Sequence, residues 1–230
     1  DDSRISPDAY SYAMVMEALA KHHDQKEAAE MAQLFLAEAV KRYQFSKESK
    51  KKFALNTILF STAVGCLSKS STSGSFLKAA DILKTQESIH VQDKYNPVRP
   101  DVYSYTSVID CCAKETNPRL KRKAFKAAQH AYNGLQENAT PNYVSYGIML
   151  KACSELLPDN EYRQRWTRLV FEHACRDGCV CDMVLTRLRQ AATPDLYRDL
   201  LQGHAKKRLP SAWTRNVTQD HRKKPQRAEV

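Results

Sequence analysis

Apolar residues recur along this chain at intervals of three and four, the spacing of one face of an α-helix. Tyr12, Val15, Met16 and Leu19 form one such stripe; Tyr105, Val108, Ile109 and Cys112 form another, and Tyr146, Met149, Leu150 and Cys153 a third. Leu55, Ile58, Leu59 and Thr62, with Ala63 beside them, give a fourth. Each stripe is followed by an Ala-rich segment of the same period, over 27–40, 76–89, 122–135 and 161–175. Polar breaks at 22–24, 68–75, 115–118 and 158–160 separate the two helices of each pair. The Ser/Thr/Gly run at 68–75 predicts an enlarged, mobile turn. The pattern therefore predicts helix–turn–helix hairpins and no strands.

The hairpins are copies of one another. Pro7-Asp8-Ala9-Tyr10-Ser11-Tyr12, Pro100-Asp101-Val102-Tyr103-Ser104-Tyr105 and Pro141-Asn142-Tyr143-Val144-Ser145-Tyr146 align without gaps. The remaining copy, 52–59, lacks the proline and aligns by its apolar residues to a start at 50, so the starts fall at 7, 50, 100 and 141. Pro ends the preceding element, and Asp or Asn caps the next helix. One hairpin cannot bury its stripe alone, whereas stacked hairpins share a continuous core. Residues 182–203 retain apolar spacing at Leu185, Leu188, Ala192, Leu196, Leu200 and Leu201 and read as a degenerate fifth unit. The expected architecture is all-α, a right-handed α-solenoid of four to five hairpins over 1–203, followed by a basic, disordered tail over 204–230.

Composition agrees with helix. Among 230 residues only 6 are Gly, too few for Gly-rich phosphate loops or an all-β fold built on Gly turns. The 7 Cys are an odd count without the spacing of a secreted disulfide framework, so free thiols in a reducing compartment are expected. No signal segment precedes the first stripe and no apolar run is long enough to span a bilayer, so no membrane partner is expected. The net charge is +10, from 36 Lys+Arg and 26 Asp+Glu. Basic residues cluster at 41–52, at 119–126 and in the tail, where Lys206, Lys207 and Arg208 open a run of eight against two acids. Such clustering favours a polyanionic partner.

The repeats resemble the pentatricopeptide-repeat family of RNA-binding helical proteins. The residues that carry the likeness are Pro-Asp-x-Tyr-Ser-Tyr at 7–12 and 100–105, Leu55-Asn56-Thr57-Ile58-Leu59, and Pro-Asn-x-x-Ser-Tyr at 141–146. They cover the chain from 7 to about 182. The Trp-Leu-Gly-Tyr pattern and 34-residue period of tetratricopeptide repeats are absent, and the units run 41 to 50 residues against the family's usual 35. The resemblance implies single-stranded RNA read at about one base per repeat by first-helix side chains. It assigns base contact to Ala13, Asn56, Thr106 and Gly147, which follow the motif Tyr position. Their partners at the repeat ends are Lys51, Asp101, Asn142 and Asp182. Tyr10, Phe53, Tyr103 and Val144 would pack on the bases. By the family's pairing pattern, Asn56 with Asp101 resembles a uracil reader and Thr106 with Asn142 an adenine reader. Lys50, Lys52, Lys121, Arg122, Lys206, Lys207 and Arg208 are the expected phosphate contacts. The resemblance further implies mitochondrial or plastid RNA processing, stability or translation. The alternative is a scaffold that grips protein helices within a larger assembly, such as a ribonucleoprotein.

Catalytic motifs are missing from the sequence. There is no Gly-x-Ser-x-Gly, no Gly-x4-Gly-Lys-Ser/Thr and no deaminase His-x-Glu with Cys-x2-Cys. Cys175, Cys179 and Cys181 with His173 form the one metal-like cluster, but it lacks the second pair that zinc sites use. Neither an enzyme nor a cofactor is expected. Cys112 and Cys153 occupy the stripe position that Leu19 fills in the first copy and are expected in the core.

Overall fold

The computed structural model describes residues 7–21, 24–48, 53–93, 98–204 and 209–217. All regular structure among them is helical. The chain divides into two compact units, 1–140 and 141–230.

The first unit holds three hairpins: α1 (Ala9–Leu19) with α2 (Gln25–Glu48), α3 (Thr57–Ser70) with α4 (Ser75–Gln92), and α5 (Val102–Ala113) with α6 (Pro118–Asn138). Within it each first helix packs on its own second helix, α3 packs on both α1 and α5, and α4 packs on α6. The second unit holds α7 (Tyr143–Leu156), α8 (Glu161–Arg176), α9 (Asp182–Ala191), α10 (Pro194–Leu201) and the single turn α11 (Ser211–Thr214). There α7 packs on α8 and α9, and α8 also carries α10 and α11.

The four first helices start on the same device. Asp8, Asn56, Asp101 and Asn142 are their N-caps, each side chain accepting from the backbone N–H three residues on: Ser11 at 2.7 Å, Leu59 at 2.9 Å, Ser104 at 2.9 Å and Ser145 at 3.0 Å. Such a bond satisfies an N–H that the first helical turn leaves without a partner. In α5 and α7 the N3 serine closes a capping box.

These caps correct the register of the second copy. The sequence pattern places its start at 50, yet Asn56 stands where Asp8, Asp101 and Asn142 stand, so its start is 55 with Leu55 in place of Pro. The buried stripe follows the caps. Phe60, Ala63, Val64 and Leu67 are buried, matching Tyr105, Val108, Ile109 and Cys112, whereas Ile58 of the expected stripe is 53% exposed. Val15 is also exposed, on a helix that packs only on α2 and α3 among the described elements. Leu59, which the earlier start places on the stripe, is itself buried, so apolar spacing alone could not reject that start.

The 68–75 segment is a tight turn. Helix α3 continues to Ser70 and α4 begins at Ser75, leaving 71–74 to reverse the chain through Ser71 at φ +48° and Gly74 at φ +82°. Glu115, buried, clamps it from the end of α5. Its carboxylate accepts from Gly74 N at 2.6 Å, Ser73 Oγ at 2.8 Å and Asn117 N at 2.7 Å. Burial alone would raise the Glu115 pKa, but these donors outweigh it and hold the carboxyl below the ordinary range.

Part of the expected tail is ordered. Trp213 packs edge-on against Phe171 at 5.8 Å, Val180 N donates to Trp213 O at 2.8 Å, and Asn216 N donates to Gly178 O at 2.9 Å. Val217 is buried. Residues 205–208 and 218–230 lie outside the described residues. No described helix is long and apolar enough to cross a membrane.

Candidate nucleic-acid interface

Aligned on their caps, the first helices of the first unit share one face that is exposed or half-buried among the described residues. Counting from the cap, positions 2, 6, 9 and 13 share that face, because they fall at i, i+4, i+7 and i+11. Position 2 is Tyr10 in α1, Ile58 in α3 and Tyr103 in α5, exposed by 58%, 53% and 70%. A large apolar side chain that recurs at one exposed position on successive helices is not explained by the core they share. Position 13 is Lys21, Lys69 and Lys114; Lys69 lies in the last turn of α3, and the other two just past the ends of α1 and α5. A band of apolar side chains thus lines one end of these helices and a band of ammonium groups the other.

The lysines also join the helices. Lys69 Nζ donates to Ala20 O at 3.5 Å, and Lys114 Nζ donates to Ser68 O at 3.0 Å and Ser68 Oγ at 2.9 Å. Each reaches back to the C-terminal end of the preceding first helix, where the macrodipole favours a cation. Lys114 also pairs with Asp110 at 2.9 Å, and Lys21 with Glu17 at 3.4 Å. In the second unit α7 carries half-buried Val144 at position 2 and Glu155 at position 13.

The expected base contacts do not share one setting. Tyr10 and Tyr103 are on the exposed face. Ala13, Thr106 and Gly147 are buried, Gly147 beneath Met183, whose Cε lies 2.8 Å from where a Cβ would stand. Thr106 Oγ1 is buried without a hydrogen-bond partner. Asn56, Asp101 and Asn142 engage their side-chain oxygens in capping. Phe53 is half-buried and set edge-on to Tyr12 at 6.3 Å; Ile58 holds the place assigned to it. Val144 is half-buried, and Asp182 is the exposed first residue of α9.

Of the expected phosphate contacts, Lys121 (half-buried) and Arg122 (exposed) lie on α6, a second helix rather than a first. Lys50, Lys51, Lys52, Lys206, Lys207 and Arg208 lie outside the described residues. The sequence reading misses Ile58, Lys21, Lys69 and Lys114. Alignment on the capping residue, in place of the apolar run, brings all four out.

The Cys/His cluster does not assemble: among the described residues no group of three or more His, Cys, Asp or Glu could hold a metal ion. Burial pushes the thiol of Cys175 up to about 12 and that of Cys179 to about 11. At both positions burial disfavours the thiolate form. Cys112 and Cys153 are fully buried at the stripe position. No protein-family model matches the chain, and no curated protein does either.

Proposed function

We propose that this chain binds single-stranded RNA through the shared face of its first helices, as a pentatricopeptide-type right-handed α-solenoid of four to five hairpins. The observation that carries the reading is the recurrence of Tyr10, Ile58 and Tyr103 at one exposed helical position, with lysines at another. The rings of Tyr10 and Tyr103 suit unstacked bases, each base stacked on an aromatic ring adding about 1–3 kcal/mol, and Ile58 between them offers an apolar contact. Ammonium groups further along the same helices suit the phosphates between them. Lys114 is half-buried among three acceptors, so Lys21 and Lys69 are the freer cations of the band. The reading includes no catalytic step and no cofactor. Action on mitochondrial or plastid transcripts is the biological part of the same proposal.

Fluorescence anisotropy with an unstructured oligoribonucleotide tests it. Tyr103→Ala should weaken binding by about 1–3 kcal/mol, the worth of one stacked base. Lys21→Ala with Lys69→Ala should flatten the dependence of log affinity on log salt by about 0.7 for each phosphate no longer neutralised. Unchanged affinity in the first variant and an unchanged slope in the second would remove the proposal's basis.

A further inference from the structure

The second-helix side of the first unit carries a groove that the RNA-facing helices do not use. Helices α2 and α4 both pack on α3 but not on each other, whereas the next pair, α4 and α6, does meet. The gap between α2 and α4 is a groove of about 380 Å³ floored by Leu36, Val40 and Ile82. Tyr43 Oη donates to Asp93 Oδ2 at 2.7 Å, tying α2 to the C-cap of α4 at one end. The lining runs from Gln33 to Gln44 along α2, about 16 Å at the α-helical rise.

Exposed apolar side chains continue the floor outward. Leu34 and Phe45 are 64% and 71% exposed, and they share one row of α2 with the lining residue Lys41. Across the groove Leu77 is 40% exposed, one turn before the lining residue Asp81 on α4. An apolar floor with an apolar lip is what an amphipathic helix needs to seat anchors at i, i+3 or i+4, and i+7. The rim sets the sign of its flanks. Lys41 and Lys78 face the groove from opposite helices, neither in an ion pair among the described residues, against the single carboxylate of Asp81.

We infer that the α2–α4 groove docks an amphipathic α-helix of a partner protein, about three turns long, with an apolar stripe flanked by Asp or Glu. The partner would leave Tyr10, Ile58 and Tyr103 free, so RNA and partner can be held together. The inference stands apart from RNA binding and can fail without it.

The test uses the full chain and two labelled helical peptides of about 14 residues, four turns each. Both carry the same Leu stripe, one flanked by Glu and one by Lys. Anisotropy should show saturable binding with the Glu-flanked peptide at least about tenfold tighter. Ala37→Arg, at an exposed lining position, should abolish it while the circular-dichroism melt stays in place. Lys41→Glu with Lys78→Glu should reverse the preference between the peptides. Absence of saturable binding by either peptide, or binding indifferent to Ala37→Arg, overturns the inference. So does a dimer in sedimentation that Ala37→Arg dissociates, because the occupant is then a second copy of this chain. RNA affinity that falls with the Lys41 and Lys78 changes but not with Ala37→Arg overturns it as well, by making the groove a nucleic-acid surface.

Discussion

Gly134 lies within α6, where glycine costs about 1 kcal/mol relative to alanine. Its presence follows from Tyr105: a Cβ at 134 would stand 2.7 Å from Tyr105 Cε1. That ring is buried, with its hydroxyl donating to Glu87 at 3.2 Å and accepting from Asn138 at 3.4 Å. Burial first, and the Glu87 charge second, push the Tyr105 phenol up to about 12. Gly134→Ala should therefore destabilise by about 1–3 kcal/mol despite the better helix former, since overpacking outweighs propensity. Urea denaturation measures it, and a stabilised variant would contradict the packing described. Glu115 gives a pH-dependent counterpart. Its pKa in the folded chain is held below the ordinary 4.5, so its contribution is complete above that value and is lost as pH falls through the folded value. Glu115→Ala should cost about 1–3 kcal/mol at pH 7 by leaving N–H donors unpaired. The gap in melting temperature between the two proteins should narrow on acidification below pH 4.5.

For single elements, helix identity was legible and register was not. The second helices expected at 27–40, 76–89, 122–135 and 161–175 lie inside α2, α4, α6 and α8, because a periodic apolar face fixes a helix wherever it packs. The starts at 7, 100 and 141 were legible because Pro followed by Asp or Asn acts through local chemistry. The second copy has Leu55 for Pro, and there a run of five apolar residues, 58–60 with 63 and 64, fits two registers equally well. The cap decides between them, since only one register gives Asn56 a free N–H to accept. Asn56→Ala should lose about 1 kcal/mol of stability, and Asn56→Ser should restore most of it. Thermal melts of the three proteins check this; equal melts would contradict the capping role of Asn56. The 71–74 turn was misread because composition reports Ser and Gly but not the carboxylate of Glu115, 41 residues on from Gly74, that fixes them.

In the molecule as a whole, the described residues of the basic clusters lie on other elements than the proposed binding face. Apart from Arg215, just past α11, the basic clusters that dominate the sequence lie on α2 and α6 or outside the described residues, whereas on the face of α1, α3 and α5 two of the three lysines, Lys21 and Lys114, are set against Glu17 and Asp110. Net charge therefore forecasts attraction to a polyanion without locating where it binds, and the candidate base-stacking positions emerged only once the helices were aligned by their caps. The most direct measurement is photocrosslinking of a 4-thiouridine-labelled single-stranded RNA to the full chain, with the linked residues mapped by mass spectrometry. Crosslinks on Tyr10, Ile58 or Tyr103, with Lys21 or Lys69 beside them, are the predicted result. Crosslinks confined to α2, α4 and α6, or to 205–208 and 218–230 alone, would contradict it.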